Sequence, residues 1–193
     1  PIELSVRKRY RKYARSALKD LKVEYSNEPK KYLSEWVQLY RYLIERHHIT
    51  GMRTFSETSF QVLFSIPGVE MFIVRRDREI IGADIWLVDG EVGYAHLSAI
   101  SPFGYELRAS YALYWVAMQH YARSLRWLDH GAGTGLTQKE DGLTTFKQGW
   151  ANETRPVYFC GKVLNQKKYE EISRAKGFSG VTYFPAYRDG EYG

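Results

Sequence analysis

Residues 94–150 constrain the fold more than any other part of the chain. The helix predicted near their centre is apolar almost all round from Tyr111 to Met118. Such a helix is buried on more than one side, so it needs a sheet on one side and a further element or a partner chain on the other. The segment predicts, in order, a strand, that long helix, a short strand and a loop or short helix, at 94–100, about 105–124, 126–130 and 142–150.

The residues before the long helix predict an antiparallel sheet. Three segments have the pattern of buried or half-buried strands, and only two residues separate each strand from the next. The second separator, Asp89-Gly90, is a strong signal for a two-residue hairpin. The three strands are predicted at 69–76, 79–88 and 91–100.

Other helices and strands follow from spacing and end signals. Pro29 suits the first turn of a helix, and Gly177 suits the position just after one. No internal repeat and no linker rich in Pro, Gly and Ser is present, so we expect a single domain over residues 1–193. The remaining helices are predicted at 2–21, 29–47, 56–65 and 165–176, and the remaining strands at 22–26, 156–164 and 181–184.

The net charge of +6 originates in one element, the first predicted helix. Residues 7–22 contain a single acid, Asp20, and their basic side chains fill the face opposite an apolar stripe. Such a face is either a solvated surface or a binding surface for tRNA, a nucleotide phosphate or an acidic partner, and both interpretations stay open. The basic residues are Arg7, Lys8, Arg9, Arg11, Lys12, Arg15, Lys19 and Lys22.

The composition argues against several protein classes. Cys160 is the only cysteine, so neither a disulfide framework nor a cysteine-based metal site can form within the chain, and we expect a reducing compartment. No apolar segment of about 18 residues predicts a membrane span. No signal peptide is recognisable at the N-terminus. These features together predict a cytoplasmic protein.

Two local patterns suggest cofactor sites but lack the required spacing. The glycine-rich residues 131–135 do not form the G-x-G-x-x-G fingerprint that enters a helix, and Lys139 is not part of a Gly-Lys-Ser/Thr motif. His47 and His48 are adjacent on a predicted helix and therefore point in different directions. We expect neither nucleotide binding by this loop nor a metal site.

The order of elements in residues 94–150 resembles the acyl-donor half of a GNAT-like N-acetyltransferase fold. The ending Phe146-Lys147-x-Gly149-Trp150 resembles one branch of it, the FemAB-like and BioF2-like acyltransferases. The resemblance covers roughly residues 90 to 165. It implies an α+β, three-layer fold with a mixed, mostly antiparallel sheet flanked by helices. It also implies an acyltransferase.

The resemblance further implies a site. In this fold the strand before the long helix splays from the strand after it, and its exposed backbone pairs with an extended donor that contains amides. Lys147 would then stabilise the oxyanion of the tetrahedral intermediate. His96 would be a general base, and Asp129 would orient a partner or accept a proton. The implied donor-binding residues are Leu97, Ser98, Ala99, Ile100, Arg108, Ser110 and Phe146.

The helix entrance departs from the family pattern. GNAT-like proteins that bind CoA typically have Arg/Gln-x-x-Gly-x-Gly/Ala there, which cradles a pyrophosphate at the start of the helix. Residues 101–110 of this chain contain a single glycine, Gly104, and Glu106 adds a negative charge. FemAB-like proteins share this departure, and some of them use aminoacyl-tRNA as the donor.

Three functions are therefore compatible with the sequence. The first is transfer of an acyl group from acyl-CoA to an amine, with no metal. The second is FemAB-like transfer from aminoacyl-tRNA to cell-wall precursors, for which Arg7–Lys22 would bind the tRNA. The third is a non-catalytic module that keeps the fold. FemAB-like proteins usually pair two such folds, so a homodimer could supply the second.

Overall fold

The computed structural model describes residues 6–131, 142–158, 160–178 and 180–190. The chain divides into two compact units. The sheet unit comprises Pro1–Ile49 and Thr54–Asn152, and the C-terminal unit comprises Thr50–Arg53 and Glu153–Gly193. The single domain expected over 1–193 stays a prediction.

The sheet unit is built on five strands in the order β1-β2-β3-β4-β5. The first four pair antiparallel, and β4 pairs with β5 in parallel. The predicted mixed, mostly antiparallel sheet is therefore confirmed. The strands are β1 (Lys22–Ser26), β2 (Val69–Arg76), β3 (Glu79–Asp89), β4 (Val92–Ile100) and β5 (Trp127–Asp129).

Both hairpins have two-residue loops; the first is the predicted Asp77-Arg78, whereas the second is Gly90-Glu91, one residue later than the predicted Asp89-Gly90. Arg76 pairs with Glu79 across one loop, where Asp77 has a φ of 54°. Asp89 pairs with Val92 across the other, where Gly90 has a φ of 55°. A positive φ is easy for glycine and tolerated by aspartate, which explains these residues at the turns.

Seven α-helices occur in the part of the chain that the structure describes. Ser56 caps one of them by accepting a hydrogen bond from the Ser59 N–H at 3.1 Å, as its place before the predicted helix suggests. Pro29 begins a 3-10 turn that leads directly into another. The helices are α1 (Lys8–Ala17), α2 (Leu33–His47), α3 (Glu57–Leu63), α4 (Pro102–Glu106), α5 (Ala109–Tyr121), α6 (Gly142–Gln148) and α7 (Gln166–Ala175).

Helices cover both faces of the sheet, which gives the three layers that the sequence predicts. On one face, Trp36 and Leu39 of α2 and Phe60 of α3 pack against side chains such as Met71 and Ile85. On the other face, the apolar residues of α5 pack against a second cluster that contains Phe72 and Trp86. The strands β2, β3 and β4 thus contribute residues to two separate cores.

The predicted all-round burial of α5 is confirmed, and α1 of the same chain is the further element that it requires. Leu113 faces the sheet cluster, whereas Tyr114 and Met118 join a third cluster with Tyr10 and Ala14 of α1. The side of α5 that faces away from the sheet is therefore covered without a partner chain.

The prediction of one long helix at 105–124 is wrong in its first turns. The segment forms two helices, α4 and α5, and Arg108 between them has a φ of 59° and a ψ of 37°. Ser101 caps α4 by accepting a hydrogen bond from the Gly104 N–H at 3.1 Å. A Cβ at Gly104 would overlap the carbonyl oxygen of Ile81, so this glycine lets α4 lie directly on β3. Because α4 lies against β3 and Arg108 has a left-handed conformation, α5 starts only at Ala109.

Other boundaries also need correction. The first helix is shorter than the predicted 2–21, because a turn follows Ala17; residues 1–5 lie outside the described part. The strands predicted at 156–164 and 181–184 are wrong, since none of the described residues there is in a strand. Val157 and Leu164 are 88% and 89% exposed, whereas the apolar side chains of a buried strand would lie in a core.

The C-terminal unit contains α7, whose start and end agree with the prediction. Asn165 caps it by accepting a hydrogen bond from the Lys168 N–H at 2.9 Å, and Gly177 follows it with a φ of 79°. Tyr169 of this helix stacks on Phe184 and accepts a hydrogen bond from the Ala186 N–H. Across the described residues of both units, no helix is both long and apolar enough to span a bilayer.

An aromatic cluster joins α1, α5 and α6 in the sheet unit. The hydroxyl of Tyr10 donates a hydrogen bond to the Thr145 carbonyl at 3.2 Å, and the Arg7 N–H donates to the Gly149 carbonyl at 3.0 Å. A Cβ at Gly149 would overlap the Tyr10 ring. The cluster consists of Tyr10, Tyr111, Tyr114, Phe146 and Trp150.

This contact predicts that Gly149→Ala destabilises the fold. The added methyl group must displace the Tyr10 ring, and overpacking of this kind costs about 1–3 kcal/mol. Urea denaturation should therefore show a lower free energy of unfolding. Gly142→Ala is the matched control, because nothing lies within 4 Å of a Cβ there. Equal effects of the two substitutions would contradict the close packing of Gly149 against Tyr10.

Candidate active site

Strands β4 and β5 separate after only three residue pairs. Val92, Gly93 and Tyr94 pair with Trp127, Leu128 and Asp129. Beyond Tyr94, β4 continues to Ile100 and pairs with β3 alone among the described residues. The splayed strand implied by the family resemblance is therefore present, with one edge of residues 95–100 open to a strand-like ligand.

A β-bulge lies at the point of separation. Ala95 pairs with Trp86 and Leu97 pairs with Ile85, so His96 is an extra residue without a partner on β3. The side chain of His96 is exposed. Partial desolvation lowers the pKa of His96 below its usual 6.5, which keeps its imidazole neutral at pH 7.

The side chains of the implied donor-binding residues on β4 are engaged inside the protein. Leu97 and Ala99 pack in the α2 layer, and Ile100 packs in the α5 layer. Ser98 is half-buried, and its hydroxyl donates a hydrogen bond to Oδ1 of Asp84 at 2.5 Å. This strand can therefore offer a ligand mainly its backbone edge.

Asp129, His130 and Lys147 meet at the end of β5. Oδ1 of Asp129 accepts a hydrogen bond from the Gly131 N–H at 2.7 Å. The Lys147 Nζ lies 3.4 Å from the position that a Cβ on Gly131 would occupy. Burial lowers the pKa of His130 to about 4, with Lys147 lowering it further and Asp129 opposing the shift. The structure thus brings Asp129 and Lys147 together.

His130 is a residue that the sequence-based site did not include. It is 7% exposed, and its ring packs against Tyr114 and Trp86 at centroid distances of 5.6 and 6.2 Å. Its Nδ1 is buried without a hydrogen-bond partner in the described structure. At pH 7 it is a neutral group beneath the point where the strands separate.

Phe146 belongs to the aromatic cluster, with its ring 5.2 Å from Tyr111 and 5.0 Å from Tyr114 between centroids. Its contacts hold α6 against α5 and so determine where the adjacent Lys147 lies. Phe146, Gly149 and Trp150 of the Phe-Lys-x-Gly-aromatic ending have packing roles, whereas Lys147 faces the end of β5.

The start of α5 differs from a glycine-rich phosphate cradle. Arg108 occupies the N-cap position without a side-chain cap hydrogen bond, and its guanidinium lies 4.0 Å from the centroid of Tyr13. Ser110 is half-buried in the first turn. Gly104 is used for packing against Ile81, as described above. Of the predicted donor-binding residues, Arg108 and Ser110 are the two that lie at the start of α5.

Asp84 is a second residue that the sequence-based site missed. It lies on β3, is 2% exposed, and has Oδ2 buried without a hydrogen-bond partner in the described structure. Burial raises the pKa of Asp84 to about 7, against the opposing effect of its hydrogen bond from Ser98. One signal could have revealed it, namely an acid at a core position of an otherwise apolar strand.

No metal centre is found in the described part of the chain, which contains no group of three or more His, Cys, Asp or Glu suited to holding an ion. Two clefts on the sheet unit lie along α2. The smaller, of about 180 Å³, is lined by residues that include Glu35 and Glu79, and the larger, of about 510 Å³, by Lys30 and Arg41.

A family model described as an acetyltransferase (GNAT) domain matches residues 5–148. The chain belongs to this family. Its fold and its chemistry are accordingly those of an acyltransferase, and the sequence-based prediction of a GNAT-like enzyme is confirmed at that level. No curated protein matches the sequence significantly.

Solved structures with the same fold include three informative examples. FemX has a TM-score of 0.65 at 15% identity, covering 76% of this chain and 54% of FemX, so the chain spans about half of that protein. An aminoglycoside acetyltransferase from an uncultured soil metagenomic sample, in complex with sisomicin, has a TM-score of 0.58 at 17% identity over 76% of this chain and 98% of its own.

The third example is the acetyltransferase AAC(6')-Iy in complex with the bisubstrate analogue CoA-S-monomethyl-acetylneamine. Its TM-score is 0.51 at 13% identity, over 74% of this chain and 99% of its own. At these identities the likeness establishes the shared fold alone.

The burial of Asp84 predicts a pH-dependent stability that Asp84→Asn removes. The folded-state pKa of about 7 lies above the usual aspartate pKa of 3.8. Between these values the unfolded chain releases a proton that the folded chain keeps, so stability falls by roughly 1.4 kcal/mol per pH unit and stays reduced above pH 7.

Urea denaturation from pH 4 to pH 8 tests this prediction. The wild-type protein should lose stability relative to Asp84→Asn as the pH rises. Asp77→Asn, in the exposed hairpin loop, is the control and should keep the wild-type slope. Parallel pH profiles for the wild type and Asp84→Asn would show that Asp84 is ionised at neutral pH.

Proposed function

We propose that this enzyme transfers an acyl group from acyl-CoA to an amine acceptor. The open edge of β4, beside the group formed by Asp129, His130 and Lys147, is the observation on which the proposal rests. The family assignment favours an acyltransferase over a non-catalytic module. The bisubstrate complex of AAC(6')-Iy supports CoA as the type of donor.

The donor is proposed to lie along residues 95–100 as an added strand. The pantetheine arm of CoA contains amides, which can exchange hydrogen bonds with the backbone of an unpaired strand. Leu97, Ala99 and Ile100 have their side chains in the core, so recognition here depends on the backbone rather than on side-chain identity. Arg108 and Ser110 would meet the phosphate end of the donor near the start of α5.

Lys147 is proposed to stabilise the oxyanion of the tetrahedral intermediate. Aromatic packing of Phe146 holds the helix that presents it, and its ammonium lies beside Gly131 at the end of β5. An ammonium that is already in position needs little reorganisation when negative charge develops on the carbonyl oxygen.

His96 is proposed to accept the proton of the attacking amine. It is exposed at the bulge and neutral at pH 7, so it can receive a proton from a substrate at the open edge. Asp129 is less suited to this step, because its Oδ1 already accepts a hydrogen bond from the Gly131 N–H. Asp129 is proposed instead to hold the chain around Gly131 in place near Lys147.

A second candidate is transfer from aminoacyl-tRNA. One observation favours it: α1 and the turn that follows it present exposed basic side chains on the sheet unit, among them Lys8, Arg9, Lys12 and Lys19. A polyphosphate ligand would find a matching charge there. The fold similarity to FemX is compatible with this branch of the family but does not identify the donor.

A thermal-shift experiment decides between the two donors. Acetyl-CoA at a hundredfold excess over its Kd should stabilise the protein by about 2.7 kcal/mol, whereas uncharged or aminoacylated tRNA should not. A shift with tRNA that disappears at high salt, and in a variant with Lys8, Lys12 and Lys19 changed to Gln, would instead support the second candidate.

The role of Lys147 predicts a loss of transfer rate in Lys147→Ala. Removing a positioned oxyanion donor lowers kcat by about 10²–10³-fold. Release of CoA from acetyl-CoA in the presence of primary amines measures this rate. Lys168→Ala is the control, since Lys168 lies on α7 in an exposed ion pair with Glu171. Unchanged kcat in Lys147→Ala would exclude this role.

A further inference from the structure

We propose that Ser98 and Asp84 form the proton donor to the leaving thiolate, with Ser98 as the group that meets the donor sulfur. The inference rests on the proposed function, because a thiolate leaves only if a thioester is the donor. It adds an acid to the mechanism, whose base is proposed to be His96.

The geometry of the pair supports this role. Ser98 lies on the splayed part of β4, two residues beyond the bulge, and is half-buried. Its Oγ is 2.5 Å from Asp84 Oδ1 on the neighbouring strand β3. Asp84 itself is 2% exposed. Ser98 is therefore the polar group through which a ligand at the open edge of β4 can reach the buried carboxyl.

Asp84 has no evident stabilising role. The unpartnered Oδ2 lies in an apolar layer with Phe72, Trp86 and Leu113 nearby on the same face. A buried acid with one satisfied oxygen costs free energy that an apolar side chain of similar size would not. Buried titratable groups of this kind are concentrated at functional sites.

Several titratable or polar groups face Asp84. Ser98 faces it from β4, Tyr105 from α4, and Tyr114 and Tyr121 from α5. Burial is the dominant influence on Asp84 and raises its pKa to about 7. The guanidinium of Arg46 lies over the Tyr105 ring at 4.1 Å and opposes the effect of burial, which raises the pKa of Tyr105.

The proton transfers balance as follows. The amine nitrogen forms a bond to the thioester carbon and loses one proton to His96. The C–S bond then breaks, and its electron pair goes to sulfur. When the carboxyl is protonated at Oδ1, this oxygen donates to Ser98 Oγ instead of accepting from it, and the Ser98 hydroxyl turns towards the sulfur. The Ser98 hydroxyl then gives its proton to the sulfur and takes the Oδ1 proton of Asp84. His96 releases its proton to solvent, and Asp84 regains one from solvent, so the net products are an amide and a thiol.

Desolvation has opposite effects on the pKa of the proposed base and on the pKa of the proposed acid. Desolvation lowers the pKa of the His96 imidazole and raises the pKa of the Asp84 carboxyl. Both residues are then in the required form, neutral base and protonated acid, in a window that ends near pH 7. The rate of transfer should decline on the alkaline side of this window because Asp84 ionises.

The test is the pH profile of kcat for acetyl-CoA with sisomicin, spermidine and a lysine-containing peptide as amine probes. The wild-type protein should lose kcat above about pH 7, the value set by Asp84. In Asp84→Asn and Ser98→Ala, kcat at pH 6.5 should fall by about 10²-fold, a typical contribution of general acid catalysis. The alkaline decline should vanish, and KM for acetyl-CoA should stay unchanged.

Glu70→Gln is the matched control, because Glu70 is a carboxylate on β2 that accepts a hydrogen bond from Tyr121 at 2.7 Å. It should keep the wild-type pH profile. If the wild type acetylates a probe but Asp84→Asn keeps the alkaline decline, the acid role is overturned and the proposed function stands. If the wild type releases no CoA with any probe, the proposed function is overturned, and the acid role with it.

Discussion

The separation of β4 from β5 is the constraint on which the candidate site depends. Three paired residues hold the two strands together, and the bulge at His96 then directs β4 away. Because the side-chain alternation changes at a bulge, Ala95 and Ser98 lie on the α5 face while Leu97 lies on the α2 face. The same irregularity thus opens a backbone edge and aims Ser98 at Asp84.

The aromatic cluster connects α1 and α6 to the candidate site. Tyr10 lies against Gly149, and Phe146 packs on Tyr111 and Tyr114. These contacts cover the side of α5 away from the sheet and place α6 so that Lys147 reaches the end of β5. A helix that is apolar all round requires such a cover, and here the cover also positions the candidate active-site cation.

Periodicity and turn residues predicted most of the sheet unit. The strands at 69–76 and 79–88 alternate or run apolar between two-residue turns, and local sequence suffices to place them. The break at Arg108 could not be read in this way, since it depends on Gly104 lying against Ile81 in a distant strand. The segment 156–164 has a strand-like composition, but its described residues form no strand, and whether such a segment pairs is a tertiary fact that propensity does not contain.

The sequence predicted some residues of the candidate site and missed others for the same reason. Lys147 belongs to the Phe-Lys-x-Gly-aromatic ending, and Asp129 is the last residue of a short predicted strand; both lie beside Gly131. Asp84 and His130 belong to no motif, and although an acid in an apolar strand could have marked Asp84, the burial of both side chains appears only in the fold. Desolvation shifts the pKa of a carboxyl upward and of an imidazole downward, so one apolar layer holds a protonated acid and a neutral histidine at the same pH. Burial of a carboxyl in an apolar layer is thus sufficient to keep a proton on it near neutral pH.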